Sequence, residues 1–407
     1  MIHQLLRMDV PRPEPQPGPT ENPKPVALCM GLMDHYDRGI ARGAIRYARE
    51  HASWQLHGCG WMFRHLDAIE SWRGAGIIAR VESLQDVERL SALSVPVVDV
   101  AGAYSWEAAH QVSNDDYLTG VRAGEYLLSC GLRRFAYCGV SSVGWSEKRK
   151  AGLMDAVRTA SEDLALFEQS LPWWERLESS SDLEAWMGAF RPPVGLFACN
   201  DTAGLRASES CRRIGLRVPE DVAILGVDNE DIVCELAFPT LSSMELDCEL
   251  IGYRAAALLG DLMAGRAEAL EGRGEPLLVP PGRIVEREST RVYASDDPLV
   301  AQAVLRIRER ATAGGTIPEI ILGMPISRRS LELRFGRELG RSIHDELTRV
   351  RLDHARRLLA DTELRVADVA LESGFGTYQR FHAVFRATEG LSPAAYRRSI
   401  RGERRRR

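Results

Sequence analysis

An α/β domain followed by an all-α domain is the fold class this sequence predicts, and three observations predict it. From Val26 to about Arg287, six short apolar runs alternate with stretches of helical periodicity, the pattern of a doubly wound parallel sheet. After Pro298 the strand-like runs stop and only helical spacing remains. The charge changes at the same point: residues 298–407 hold 22 arginines, no lysine and 13 acidic residues, a net +9, whereas the rest of the chain carries −14. A basic module on an acidic body is the footprint of a DNA-binding domain joined to a second function.

Residues 1–25 contain seven prolines and read as a disordered arm. The apolar runs that follow read as buried parallel strands: 26–33, 76–81, 95–100, 134–140, 194–200 and 222–228. Helical spacing fills 38–51, 117–130, 149–160, 202–214 and 246–263. In open sheets of this kind ligands sit beyond the carboxyl ends of the strands. Acidic and amide residues close several of these runs: Asp34 and Asp37, Asn200 and Asp201, Asp228 and Asn229. The first domain is expected over 26–287, a polar linker over 288–302, and the helical domain over 303–400, ending in a basic tail at 401–407.

Two segments of the helical part share one plan. Helix 317–323 leads through a turn at 323–326 to Ser327, which caps a second helix whose Leu331 and Phe335 face inward. Helix 366–373 ends at Gly374, and Thr377 caps a helix with Phe381 and Phe385 at the same spacing. Each is a helix-turn-helix with a polar outer face on its second helix, as major-groove insertion requires. Between them Ser342 and Asp345 form a capping box for a helix of ~18 residues, ~27 Å long, which can hold two recognition helices about one DNA turn apart.

Residues 315–397 resemble the AraC/XylS-type DNA-binding domain. The resemblance is carried by Ser327-Arg328-Arg329-x-Leu331, Phe335, Arg351-Leu352, Ala355, Leu358-Leu359, Val369-Ala370, Gly374-Phe375, Phe381, Phe385, Gly390, Ser392-Pro393 and Tyr396-Arg397. It implies DNA-facing positions at Arg329, Glu332 and Leu333, then at Tyr378, Gln379, Arg380, His382 and Ala383. Arg reads guanine, Gln adenine, and Glu accepts from cytosine; Arg328, Arg334 and Arg337 suit phosphates. Leu333 departs from the family, whose members commonly carry Arg or Lys there, and offers apolar contact only.

Residues 26–287 resemble the two-lobed, type I periplasmic-binding-protein-like core of LacI/GalR-type regulators. The carrying residues are Asn114-Asp115, Arg149-x-x-Gly152-Leu153, 197–201, 215–222, Gly226-Val227-Asp228-Asn229 and 239–243. The usual amino-terminal DNA-binding domain of that family is replaced by the carboxyl-terminal one. Tyr36-Asp37-Arg38 and Trp145-x-x-x-Arg149 narrow the resemblance to sugar-operon regulators with a carboxyl-terminal DNA-binding domain. The combination implies a homodimeric regulator of a sugar operon that binds a double-stranded DNA operator, works with RNA polymerase, and responds to a monosaccharide, D-xylose first among pentoses.

A sugar cleft needs bidentate polar groups and an aromatic face. Asp37, Arg149, Asn200 and Asp228 are the polar candidates, Trp145 the first aromatic and Trp61 the second. Each has a bland competitor: Asp228 as a turn cap, Arg149 in a surface ion pair, Asn200 as a helix cap, Trp145 as core packing. The alternatives in function are an enzyme and a DNA-binding protein whose first domain only dimerises. Against catalysis stands the lack of Gly-x-Ser-x-Gly, His-Glu-x-x-His, a phosphate loop or a dinucleotide fingerprint; no cofactor is expected. Eight scattered cysteines without a Cys-x-x-Cys pair read as reduced thiols. With no signal-peptide pattern and no membrane-length apolar run, the expected location is the cytoplasm.

Overall fold

A computed structural model describes residues 23–31, 34–59, 69–104, 110–160, 164–170, 173–174, 181–266, 276–292, 295 and 297–398. Most of the Pro-rich arm, Trp61 and the basic tail lie outside the described residues.

The chain opens with β1 (Lys24–Cys29), α1 (His35–His51), β2 (Trp54–Cys59), β3 (Gly76–Ala79), α2 (Leu84–Ser91), β4 (Val97–Asp99) and β5 (His110–Asn114). Then come α3 (Asp116–Ser129), β6 (Phe135–Val140), α4 (Gly144–Val157), β7 (Leu164–Gln169), α5 (Ser181–Gly188), β8 (Val194–Ala198), α6 (Asp201–Ile214), β9 (Val222–Asp228), α7 (Asp231–Leu236) and β10 (Ser242–Glu245). The domain closes with α8 (Cys248–Met263), β11 (Leu277–Val279) and β12 (Ile284–Val285).

These strands form two six-stranded sheets, ordered β11-β5-β4-β3-β1-β2 and β12-β10-β9-β8-β6-β7. All described pairings are parallel except β10 with β12. Both sheets wind outward in two directions from one strand, β1 or β6, and so have the same switch point. The chain passes between lobes three times. Helix α3 follows β5 of lobe one yet packs on α4 of lobe two; α8 follows β10 of lobe two yet packs on α1 of lobe one; β11 and β12 lie in different sheets. The α3–α4 contact is backbone-close: a Cβ at Gly120 would stand 2.0 Å from the Arg149 carbonyl oxygen, and one at Gly152 2.0 Å from that of Tyr117. Only glycine permits this approach, and it fixes the backbone of Arg149 against α3.

All six expected strands and all five expected helices are present, with ends shifted by at most five residues. The runs 76–81, 95–100 and 194–200 outlast their strands by one or two residues, which lie in the loops after the strands' carboxyl ends. Six strands were not anticipated: β2, β5, β7, β10, β11 and β12. The interior strands β5 (HQVSN) and β10 (SSME) are polar in sequence. The buried serines of β10 are tolerated because they are hydrogen-bonded: the Ser242 hydroxyl accepts from the Arg287 amide at 2.8 Å, and the Ser243 hydroxyl donates to Asp201 at 2.5 Å.

The polar stretch expected as a linker is folded at both ends. Ser289 and Thr290 are buried; the Ser289 hydroxyl donates to the Ile224 carbonyl at 2.6 Å, and that of Thr290 to Ser242 at 2.6 Å. Helix α9 (Pro298–Arg310) starts soon after, capped by Asp297. Then follow α10 (Ile317–Ile321), α11 (Arg328–Leu339), α12 (Ile343–Asp361), α13 (Val366–Glu372) and α14 (Tyr378–Glu389). Ser327 and Thr377 cap α11 and α14, and Ser342 with Asp345 forms the capping box of α12. Two small cores result. Val300, Val304, Ile307, Ile320, Leu331, Phe335, Ile343 and Leu347 make the first; Leu352, Leu359, Val369, Phe375, Phe381 and Phe385 make the second. The 19-residue α12 gives one half to each.

Candidate functional site

A cleft of about 440 Å³ lies between the lobes. Its lining follows from the topology, because nearly every side chain stands just past the carboxyl end of a strand. Asp34, His35 and Tyr36 follow β1; Arg80 and Glu82 follow β3; Ala101 and Ala103 follow β4; Asn114 ends β5. From lobe two come Val143, Trp145 and Arg149 after β6, Trp174 after β7, Asn200 after β8, and Asp228 and Glu230 around the end of β9.

Four of the five polar and aromatic residues expected inside the described region line this cleft: Trp145, Arg149, Asn200 and Asp228. Two competing readings hold as well. Arg149 is an ion-pair partner, but a buried one: its Nε lies 2.8 Å from Asp116 at the start of α3, and its Nη1 donates to the Cys199 carbonyl. Its guanidinium sits 5.1 Å over the Trp145 ring. The carboxylates around it keep the guanidinium charged despite its burial. Asn200 does cap α6, its Oδ1 accepting from the Ala203 amide at 2.9 Å, while its side chain also faces the cleft.

Asp228 is held in a costly conformation. Its φ is +103° and that of Asn229 is +52°, values that non-glycine residues adopt rarely and mostly where the surroundings enforce them. Asn229 is enforced by its backbone amide, which donates to the Ser243 hydroxyl at 3.0 Å, and by Arg287, which donates to its Oδ1 at 2.8 Å. The Asp228 carboxylate has no hydrogen-bond partner among the described residues. Burial pushes both it and its neighbour Asp201 above the usual carboxylate range, while Arg149 and Arg80 hold Asp228 back toward the charged form.

Asp37 is corrected by the structure. It is fully buried and outside the cleft lining; its Oδ1 accepts from Arg80 at 2.8 Å. The residue in contact with the cleft is Arg80, which also pairs with Asp34 at 2.8 Å and Glu82 at 2.9 Å and lies 5.1 Å over the Tyr36 ring. The Tyr36 hydroxyl donates to the Val100 carbonyl at 2.7 Å and accepts from Asn114 at 3.2 Å. Asn114 Oδ1 is buried without a partner on the cleft wall. Trp174, its indole tied to the Gly139 carbonyl at 2.9 Å, supplies a second aromatic wall. Sequence reading missed Tyr36, Arg80, Asn114, Trp174 and Glu230 as lining residues. Arg80 had a visible signal, a charge at the end of an apolar run. Glu230 spans the lobes, accepting from the His35 amide at 2.6 Å and from Arg38 at 3.2 Å.

The helical module touches the two-lobed domain at the carboxyl end of α3, and its Glu309 also lies 4.0 Å from Arg291. Arg308 of α9 donates to the Ser129 carbonyl and to Cys130 Sγ at the carboxyl terminus of α3, where a cation complements the helix dipole. The amino end of the same α3 carries Asp116, the partner of Arg149 in the cleft.

Of the expected DNA-facing residues, Arg328, Arg329, Leu333 and Arg337 are exposed on α11, and Tyr378, Gln379 and Arg380 are exposed on the first turn of α14. His382 is half-buried, its ring 5.6 Å from that of Tyr378. Three of the expected residues of α11 are engaged within the protein, Arg328 lying 4.0 Å from Glu332. Glu332 accepts from the Ile343 amide at 3.2 Å, satisfying the start of α12, and Arg334 is paired with Asp297 at 2.9 Å.

A two-lobed cleft of this topology joined to a double helix-turn-helix defines a ligand-responsive transcription regulator. Three family descriptions tile the chain: XylR N-terminal domain over 25–119, periplasmic binding protein-like domain over 125–290, and helix-turn-helix domain over 323–399. The xylose operon regulatory protein of Escherichia coli (strain K12) is 29% identical over 91% of this chain and 96% of its own. That of Haemophilus influenzae is 27% identical over 93% and 99%. A solved structure described as the xylose-binding transcription activator xylR matches with a TM-score of 0.57 at 27% identity, covering 92% of this chain and 98% of that one. The chain is a sugar-responsive DNA-binding transcription regulator similar to these xylose operon regulators. Among the described residues no helix is long and apolar enough to cross a membrane.

Proposed function

We propose that this chain is a cytoplasmic, homodimeric activator of a sugar operon whose cleft binds an uncharged pentose, D-xylose first, and which works with RNA polymerase at its operator. The supporting observation is the Asp228 carboxylate: strained into place, facing the cleft, and without a hydrogen-bond partner among the described residues. Such a group is a ready bidentate acceptor for two sugar hydroxyls. Arg149, Asn200 and Asn114 add donors and an acceptor, and Trp145 and Trp174 offer faces for the apolar side of a ring. The cleft volume lies near the lower end of the ~300–1,000 Å³ range of small-molecule sites. Its carboxylates, Asp34, Glu82, Asp201, Asp228 and Glu230, outnumber the cations Arg80 and Arg149, which disfavours sugar phosphates and sugar acids.

In this reading the sugar acts on α3. It draws Arg149 and Asp116 into one hydrogen-bonded set, and α3 carries the displacement to Arg308 and so to α9 and the first helix-turn-helix. The sugar changes DNA affinity only by as much as it binds the two arrangements differently.

The test is calorimetric titration with D-xylose, L-arabinose, D-ribose and D-glucose, paired with DNA binding. Asp228→Ala is expected to abolish sugar binding and keep basal DNA affinity. Arg308→Ala is expected to keep sugar binding and lose the sugar's effect on DNA. Heat from none of the sugars would remove the pentose reading, and an unchanged titration in Asp228→Ala would remove Asp228 from the site.

A further inference from the structure

Helix α11 carries leucines on two faces. Leu331 and Phe335 are fully buried in the first core, whereas Leu333 is 68% exposed. Two residues along a helix of 3.6 per turn is a rotation of ~200°, so Leu333 points away from the core that its neighbours fill. On that outer face Arg329 and Arg337 flank it at four residues to either side. Both are exposed, and neither has an ion-pair partner among the described residues. The polar side chains adjoining Leu333 are otherwise occupied, Glu332 on the Ile343 amide and Arg334 on Asp297. What α11 presents outward is therefore a stripe of cation, leucine, cation.

A leucine can neither donate nor accept a hydrogen bond. On the major-groove edges of the four base pairs, the apolar projection is the C5-methyl of thymine. Two unpaired guanidinium groups a turn to either side match the negative charge of a duplex, and Arg329, nearest the helix start, is placed for guanine or phosphate. An apolar docking site for a protein would be ringed by further apolar residues, whereas Leu333 stands alone between charges. The geometry points to Leu333 as the specificity residue of the first motif, reading a thymine methyl, with Glu332 withdrawn from base contact to cap α12. This inference rests on α11 being a recognition helix, and the experiment separates the two.

The full-length protein is used to select duplexes from a randomised library at fixed salt, with and without D-xylose. Every thymine of the winning duplex is then replaced singly by uracil, which removes the methyl and nothing else, and affinity is measured by fluorescence anisotropy. The half-site of the first motif is the one whose footprint fades with Arg329→Ala. There, at least one uracil should weaken binding about fourfold, the worth of one buried methyl-sized group. Leu333→Ala should bind thymine and uracil duplexes alike at that position while keeping its response to uracil elsewhere. Leu333→Arg should move the preference at that position toward guanine.

Uracil tolerance throughout that half-site overturns the proposal. So does Leu333→Ala binding DNA as the parent does while losing transcription with purified RNA polymerase, which would make Leu333 a protein contact. Failure to enrich any duplex instead removes the recognition-helix reading, and the proposal with it.

Discussion

The two helix-turn-helix motifs are built alike and held differently. Each recognition helix starts at a hydroxyl cap, Ser327 or Thr377, and ends at a left-handed glycine, Gly340 or Gly390. Each buries two large side chains four apart. The first motif, however, shares its core with α9, whose Arg308 is fastened to the sensor, and its recognition helix is tied by Arg334 to Asp297 at the sensor's exit. The second core is an aromatic set, Phe375, Phe381, Phe385 and Tyr396, with ring centroids 5.2–5.3 Å apart. Its described contacts to the rest run through α12 and through Gly374, where an added Cβ would stand 2.0 Å from the Ala311 carbonyl oxygen just after α9. On the proposed route the first is thus the motif coupled to the cleft, while Tyr378, Gln379 and Arg380 of the second are exposed.

Truncating the two cores breaks this comparison most strongly. Phe381→Ala is expected to cost ~3–5 kcal/mol, as for other buried aromatics, and to loosen the second motif alone. Hydrogen exchange should rise over 366–398, sugar binding should persist, and the DNA footprint should shrink to one half-site. Phe335→Ala, with a similar cost, should also raise exchange in α9 and uncouple sugar from DNA. Equal spread of exchange in both variants would show that the two cores melt as one.

A smaller effect is expected at the reading faces. Gln379→Ala should lose ~1–3 kcal/mol of discrimination at one base pair, the worth of a bidentate contact to adenine. Glu332→Gln should leave base preference in the first half-site unchanged, because that side chain is spent on the Ile343 amide. A specificity shift in the Glu332 variant, read by competition among operator variants, would return Glu332 to the groove.

The helical module was the more legible part in the sequence, and the reason is physical. Caps, left-handed glycines and four-residue apolar spacing are local signals, so Ser327, Ser342, Gly374 and Thr377 could be placed without knowing what packs on what. The engagement of Glu332 and Arg334 could not, since it depends on where α12 and Asp297 arrive. In the sensor, strand ends marked the cleft, and Trp145, Arg149, Asn200 and Asp228 came from them. Asp37 misled because position after a strand does not reveal which way a side chain turns; here it turns inward to hold Arg80. The polar strands β5 and β10 were invisible because their buried serines and amides gain acceptance from long-range hydrogen bonds rather than from apolar pattern.

The finest test of the unequal anchoring is at Asp297. This residue both caps α9, accepting from the Leu299 amide at 2.9 Å, and pairs with Arg334 at 2.9 Å. Asp297→Ser keeps a good cap and removes the charge, so stability should change by no more than a few tenths of a kcal/mol. Arg334 is then released on the outer side of α11 beside Arg337. If it reaches a phosphate, the slope of log affinity against log salt should steepen by about 0.9, the contribution of one added phosphate contact. The sugar response should weaken at the same time, because a strap between the sensor's exit and the first recognition helix has been cut. An unchanged slope with a weakened response would assign Arg334 wholly to coupling; an unchanged response would leave α3 and Arg308 as the route by which the cleft is felt at the DNA.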